Sequence, residues 1–226
     1  MSNLRFPFLR AKLHQPLPAP SLVRRERLLK MFLDRPETTL VLLVASAGSG
    51  KTTLIVQWLE HLSYPVAWLS LDETDDDLVV FLSYLTAAIQ SVFPEACSLT
   101  QKLIATPQPP PVGYLVTTLA NELSDIGQPF ALVLDDYHCL RQAAIHHFVS
   151  QLVRHAPANL RLVISSRFDP PLQLSRLAAQ GRLVEIRAAD LRFRLSEAQA
   201  LLEQAAGVPL PTERIDAVVE EMEGWA

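Results

Sequence analysis

A lysine set between a glycine-rich turn and two threonines is the first place in this chain where chemistry could be done. In Ala47-Gly48-Ser49-Gly50-Lys51-Thr52-Thr53, the two glycines let successive backbone N–H groups point inward around an anion without Cβ clashes. The apolar spacing of Leu54, Ile55, Trp58 and Leu59 predicts a helix opening at Lys51, which adds free N–H groups and the positive end of its dipole. Lys51 could then reach the β- and γ-phosphates of a nucleotide, and the Thr52 hydroxyl is placed to ligate Mg²⁺. The phosphate-loop pattern G-x-x-x-x-G-K-[ST] is met except at its first glycine, where Ala45 stands. An alanine makes that turn if its φ stays negative.

Two carboxylates complete the constellation. Asp135 and Asp136 end the apolar run Leu132-Val133-Leu134. In an open α/β sheet, ligands sit outside the carboxyl ends of the strands. Asp135 is therefore expected to hold Mg²⁺, and Asp136 to polarise an attacking water as general base. Adjacent carboxylates need a cation nearby, since each otherwise favours protonation of the other. Arg167 also follows an apolar run, Leu160 to Ser165. If that strand is inserted between the other two, the Arg167 guanidinium faces the γ-phosphate as a bidentate cation. His138 reads as a supporting group behind the carboxylates, and His146 and His147 as solvated helix residues.

These residues require elements to hold them. Leu40-Val41-Leu42-Leu43-Val44 suits a strand buried on both faces of a parallel sheet. Further strands are expected at Val66–Ser70, from Phe130 into the aspartates, at Leu160–Ser165 and at Leu183–Ile186. Helices are expected over 24–33, 51–62, 113–125, 142–155 and 172–180. The acidic run Asp72 to Asp77 is expected to open a long helix to Phe93, its carboxylates complementing the dipole. The proline-rich segment Thr106 to Pro111 reads as a stiff connector between helices. Strands alternating with helices predict an α/β P-loop fold with a five-stranded parallel sheet and right-handed crossovers. This nucleotide-binding domain is placed at 23–190, after a proline-bearing arm over 1–22. From 191 to 226 the pattern is helical and reads as the start of a lid, with Ser196 and Gln199 as a capping box and another helix over 212–223.

Composition narrows the function classes. At 226 residues the chain can bury a substantial core. Twenty Lys and Arg against 24 Asp and Glu give a net charge of −4, with no basic signature of direct nucleic-acid binding. Cys97 and Cys139 read as free thiols in a reducing compartment. No apolar run approaches the length of a membrane span, and the arginine-bearing N-terminus lacks an apolar signal region, so a cytoplasmic protein without membrane contact is expected.

Several phrases, in order, resemble one family. Trp68-Leu69-Ser70-Leu71-Asp72, Leu134-Asp135-Asp136-Tyr137-His138, Ser166-Arg167 with Asp169-Pro170-Pro171-Leu172, Arg187-Ala188-Ala189-Asp190-Leu191-Arg192-Phe193 and Glu223-Gly224-Trp225-Ala226 are similar to the nucleotide-binding module of large LuxR-type, maltose-activator-like bacterial transcriptional regulators. These are signal-transduction ATPases with numerous domains (STAND). The resemblance runs from about Lys12 to the last residue. It implies a slow ATPase acting as a switch, closed with ADP and self-associating with ATP. It also implies that Val23, Arg25, Arg27 and Leu28 border the adenine and ribose. In the family DNA is contacted by a C-terminal domain, which this chain lacks, so the chain reads as a truncated piece. The alternatives left open are a P-loop turnover enzyme such as a small-molecule kinase, and a nucleotide-binding scaffold without hydrolysis.

Overall fold

The apolar runs become the strands of one sheet. The computed structural model describes residues 8–17, 23–35 and 37–206. Among these, β1 (Leu40–Val44), β2 (Val66–Ser70), β3 (Phe130–Asp135), β4 (Leu160–Ser166) and β5 (Leu183–Arg187) pair entirely in parallel, in the order β2-β3-β4-β1-β5. The inserted strand expected between the phosphate-loop strand and the aspartate strand is β4. Side chains alternate across a strand, so each run feeds two cores. Leu40, Leu42, Leu132, Leu134, Leu162 and Ile164 enter one cluster, while Val41, Leu43, Val133 and Val163 enter the other.

Helices cover both faces. On the first lie α3 (Leu78–Gln90), α4 (Ser98–Ile104), α5 (Val112–Ser124) and α6 (Ala143–Arg154). On the second lie α1 (Glu26–Leu33) and α2 (Lys51–Leu59), where Phe32 stacks on Trp58 with ring centroids 4.9 Å apart. The short α7 (Ser175–Ala179) precedes β5, and α8 (Ala188–Leu191) and α9 (Leu195–Ala206) follow it. Truncating a wholly buried leucine of β1, such as Leu43, costs about 2–5 kcal/mol through lost transfer energy and the cavity left behind. No described helix is long and apolar enough to cross a membrane.

The structure corrects several boundaries. The acidic run does not open one long helix. Asp72 accepts from the Thr74 N–H at the head of a 3-10 turn, Glu73–Asp75, and Asp77 separately caps α3 through the N–H groups of Val79 and Val80. Asp76 reaches across to the N–H groups of Arg141 and Gln142 ahead of α6. Asp75 and Asp72 also hold Lys12, whose 3-10 turn Arg10–Leu13 docks the arm beside Tyr84. The first helix starts at Glu26 rather than Arg24, and the segment from Leu172 is helical only over Ser175–Ala179. In α9 the carboxylate of Glu197, not Gln199, reaches back, accepting from the Arg194 N–H. His146 is not simply solvated, since its Nδ1 lies 3.0 Å from the hydroxyl of buried Tyr137. The phrase at 223–226 and the helix expected over 212–223 lie outside the described residues.

Candidate functional site

Parallel register puts the strand ends of the site side by side. Val44 stands opposite Ser166 and Arg187, Ser70 opposite Asp135, and Leu134 opposite Ile164. The loop after β1 then turns through Gly48 and Gly50, at φ +77° and +78°, a left-handed conformation that glycine adopts without strain. A Cβ at Gly50 would meet no atom within 4 Å, so backbone conformation, not crowding, calls for glycine there. Ala45 is not among the positive-φ residues, as a working substitute for the first glycine requires.

The pocket so formed has a volume of about 320 Å³ and is lined by Ala47 to Thr53, Asp136 and Arg167. The Lys51 ammonium lies inside the loop, donating to the carbonyls of Ala45 (2.7 Å) and Ser46 (2.8 Å). Burial pulls its pKa below the ordinary lysine value against the opposing charges of Asp136 and Asp135, and Arg167 pulls in the same direction as burial. Thr52 Oγ1 donates to Asp135, 3.0 Å from Oδ2. Arg167 is exposed and makes no hydrogen bond or ion pair with another described residue.

Asp135 is 5% exposed, and its carboxyl is held above the ordinary range, by burial first and by the charge of Asp136. The hydroxyls of Ser165 and Thr52 act against that rise. Ser165 links the two acids: its hydroxyl donates to Asp135 Oδ1 and accepts the Asp136 N–H at 3.1 Å. That N–H belongs to a residue at φ +59°, so Ser165 holds Asp136 in a left-handed conformation that few non-glycine residues adopt. Ser165 carries no motif of its own in the sequence. Its signal was a polar residue in a buried run, on the strand beside the aspartates.

The remaining expected residues stand elsewhere. Arg25 donates to the carbonyls of Leu191 (2.5 Å) and Arg192 (3.0 Å), and its guanidinium lies 4.4 Å from the Phe193 ring centroid. Arg27 donates to the carbonyls of Asp190 and Arg192 and to Glu197. Both arginines thus fasten α1 to the segment leading into α9, and neither lines the phosphate-loop pocket.

The family of AAA ATPase domains matches residues 21–165, a span holding the glycine loop, both aspartates and Ser165. The chain belongs to the AAA ATPase domain family. This makes it a nucleotide-binding domain. As an AAA ATPase domain it is 37% identical over 216 residues to the HTH-type transcriptional regulator MalT of Yersinia enterocolitica, and 35% identical to MalT of Serratia proteamaculans. Each match covers 96% of this chain and 24% of the relative, so the chain spans about a quarter of those regulators' length. Among solved structures it is similar to a Signal Transduction ATPase with Numerous Domains protein with a tetratricopeptide repeat sensor from Pyrococcus horikoshii. The TM-score is 0.69 at 15% identity, covering 93% of this chain and 29% of that one. A Walker-type ATPase of Pyrococcus abyssi follows the same fold, with a TM-score of 0.56 at 15% identity, covering 94% of this chain and 67% of that one.

Proposed function

We propose that this AAA ATPase domain is a slow nucleotide-hydrolysing switch, binding ATP or ADP with Mg²⁺ as one module of a larger bacterial transcriptional regulator. The observation that carries the reading is the meeting of Thr52 and a buried Asp135 at 3.0 Å beside the two-glycine loop. A hydroxyl and a carboxylate are hard oxygen donors of the kind Mg²⁺ takes, alongside phosphate oxygens and water. Among the described residues no group of three or more His, Cys, Asp or Glu could hold a metal. A cation held jointly with nucleotide phosphates does not need one. When bound, Mg²⁺ neutralises charge on the phosphates.

The chain's own residues supply the rest of the reading. The N–H groups from Ala47 to Thr53 cradle the phosphates, and Lys51 exchanges its two carbonyl partners for phosphate oxygens. Asp136, at the pocket wall, orients and deprotonates the attacking water. Arg167 pairs with the γ-phosphate and so distinguishes ATP from ADP. Self-association belongs to the ATP state of the full-length regulator, and DNA contact to a domain beyond this chain. The likeness to MalT by sequence and to a STAND protein by fold supports this placement.

Thermal unfolding with added nucleotide and Mg²⁺ tests the reading. Ligand at a hundredfold over its Kd stabilises the native state by about 2.7 kcal/mol, a rise in Tm of about 5–10 °C for a domain of this size. Lys51→Ala is expected to fold and to lose that rise. An unchanged rise would remove the phosphate-loop assignment. Phosphate release from ATP without any acceptor separates a switch from a kinase or a non-hydrolysing scaffold.

A further inference from the structure

A second polar pocket lies between α6 and α7, with a volume of about 280 Å³. That is close to the 320 Å³ of the phosphate-loop pocket. Arg154, Arg176 and Arg182 line it among serines and glutamines, and no Asp or Glu does. Among the described residues, none of these three guanidiniums makes a hydrogen bond or an ion pair. Arg154 ends α6 ahead of β4, and Arg182 leads directly into β5. The pocket therefore sits where the strands begin, at the other end of the sheet from the phosphate loop.

The fold holds these side chains on fixed supports. Ser150 and Arg154 are one turn apart on α6 and so share a face. Ser150 Oγ accepts the Gln173 N–H at 3.4 Å, tying α6 to the segment that enters α7. The chain turns at Gly181 (φ +68°), where the Arg182 N–H donates to the Leu177 carbonyl at 3.0 Å. The Arg182 carbonyl in turn accepts from the N–H groups of Thr39 and Leu40, at the head of β1.

Three like charges gathered without a counter-charge repel one another, and they do so in a chain whose net charge is −4. Elsewhere in the fold Arg25, Arg27 and Arg187 each meet a carboxylate. A concave site lined by one sign of charge concentrates counter-ions. Each guanidinium offers a planar fork that meets an oxyanion through two parallel N–H donors, and Ser150 and Ser175 add hydroxyls. Three such forks match a ligand with several negative charges better than a lone carboxylate.

We propose that this pocket is a second anion site, taking a small ligand that carries at least two phosphate groups. It works apart from the nucleotide site. The unpaired arginines and the shape of the pocket carry the proposal, so it stands whether or not the phosphate loop acts as read above.

The probe is pyrophosphate, titrated calorimetrically into the protein with and without saturating ADP, which occupies the phosphate loop. One site is expected to persist with ADP present. Arg154→Gln, Arg176→Gln and Arg182→Gln are each expected to weaken that site about 3- to 10-fold, between the range for exposed ion pairs and that for hydrogen-bonded charges. The triple variant removes it and leaves ADP affinity unchanged. None of the three arginines has a partner to lose, so each single variant is expected to unfold within about 2 °C of wild type. Those single variants carry the test even if the triple variant does not fold. A hexaglutamate peptide, whose charges are carboxylates strung along a chain, is expected to bind more weakly than pyrophosphate. Pyrophosphate binding that ADP abolishes, or that the arginine variants leave unchanged, would overturn the proposal. Tighter binding of hexaglutamate would overturn it too, by making an acidic protein segment the occupant.

Discussion

Two buried aspartates in this domain receive opposite treatment. Asp75 is fully buried and takes the Lys12 ammonium on both oxygens, at 2.9 and 2.8 Å, together with the Asp72 N–H. Asp135 is nearly as buried, yet its side-chain hydrogen bonds come from the neutral hydroxyls of Thr52 and Ser165, and its chain neighbour is a second carboxylate. Around Asp75 the charges are compensated. Burial works against the Lys12 charge, and its hydrogen bonds to Asp72 and Asp75 outweigh it, so its pKa is raised. Around Asp135 the balance runs the other way, and burial with Asp136 leaves the carboxyl raised. A buried acid with its own cation is part of the scaffold. A buried acid given neutral donors and no cation of its own is kept at a cost to stability, the pattern of a site built for a ligand.

The arginines divide similarly. Arg25 and Arg27 are held by backbone carbonyls and paired with Glu197, while Arg167 is exposed at the pocket without a described partner. The first two clasp α1 to the segment entering α9. The third is free to meet a phosphate.

The strongest way to break this contrast is Asp75→Asn. Removing one of the two carboxylates that hold buried Lys12, with Asp72 left at 2.8 Å, costs about 2–3 kcal/mol, or roughly 4–12 °C in Tm, with nucleotide affinity measured below the transition unchanged. Loss of nucleotide binding without a fall in Tm would reverse the assignment of the two acids. Glu197→Ala comes next, costing about 1–2 kcal/mol through its hydrogen bonds to two arginines and read as faster amide exchange in α9. Burial raises the Glu197 carboxyl, but the Arg194 N–H, Arg27 and Arg25 outweigh it and hold its pKa low. The clasp is therefore complete above the ordinary glutamate range and weakens as pH falls through the lowered folded value. Asp135→Asn in chelator has the smallest effect and the opposite sign, a Tm equal to or above wild type at pH 7. A carboxyl raised on folding penalises the native state at pH values above its unfolded pKa, so the variant's advantage vanishes in acid, where wild-type Asp135 is protonated in both states. A clear fall in Tm at pH 7 would make Asp135 a structural residue.

The strands, the glycine loop and both aspartates were legible because buried parallel strands are written as continuous apolar runs and the loop's chemistry is local. What was not legible depends on distant partners. Helix α4 is seven residues long, and its first N–H groups are capped by Glu122 from α5, so little in 98–104 announces it. Lys12 is an ordinary surface type until Asp75 is brought to it. Nothing in the stretch around Arg25 and Arg27 announces their bonds to the carbonyls of residues 190–192. Ser165 matters through the two aspartates on the neighbouring strand.

The central claim is that the pocket tells ATP from ADP through Arg167. A ligand moves a conformational equilibrium only by its differential affinity for the two states, so in the proposed reading the contact of Arg167 with the γ-phosphate carries the difference. Calorimetric titration of wild type and Arg167→Ala with ADP and with a non-hydrolysable ATP analogue measures it directly. The account predicts a loss of about 10- to 100-fold for the analogue, the worth of one charge-assisted contact, and almost none for ADP. Equal losses for both nucleotides, or no loss for either, would contradict it.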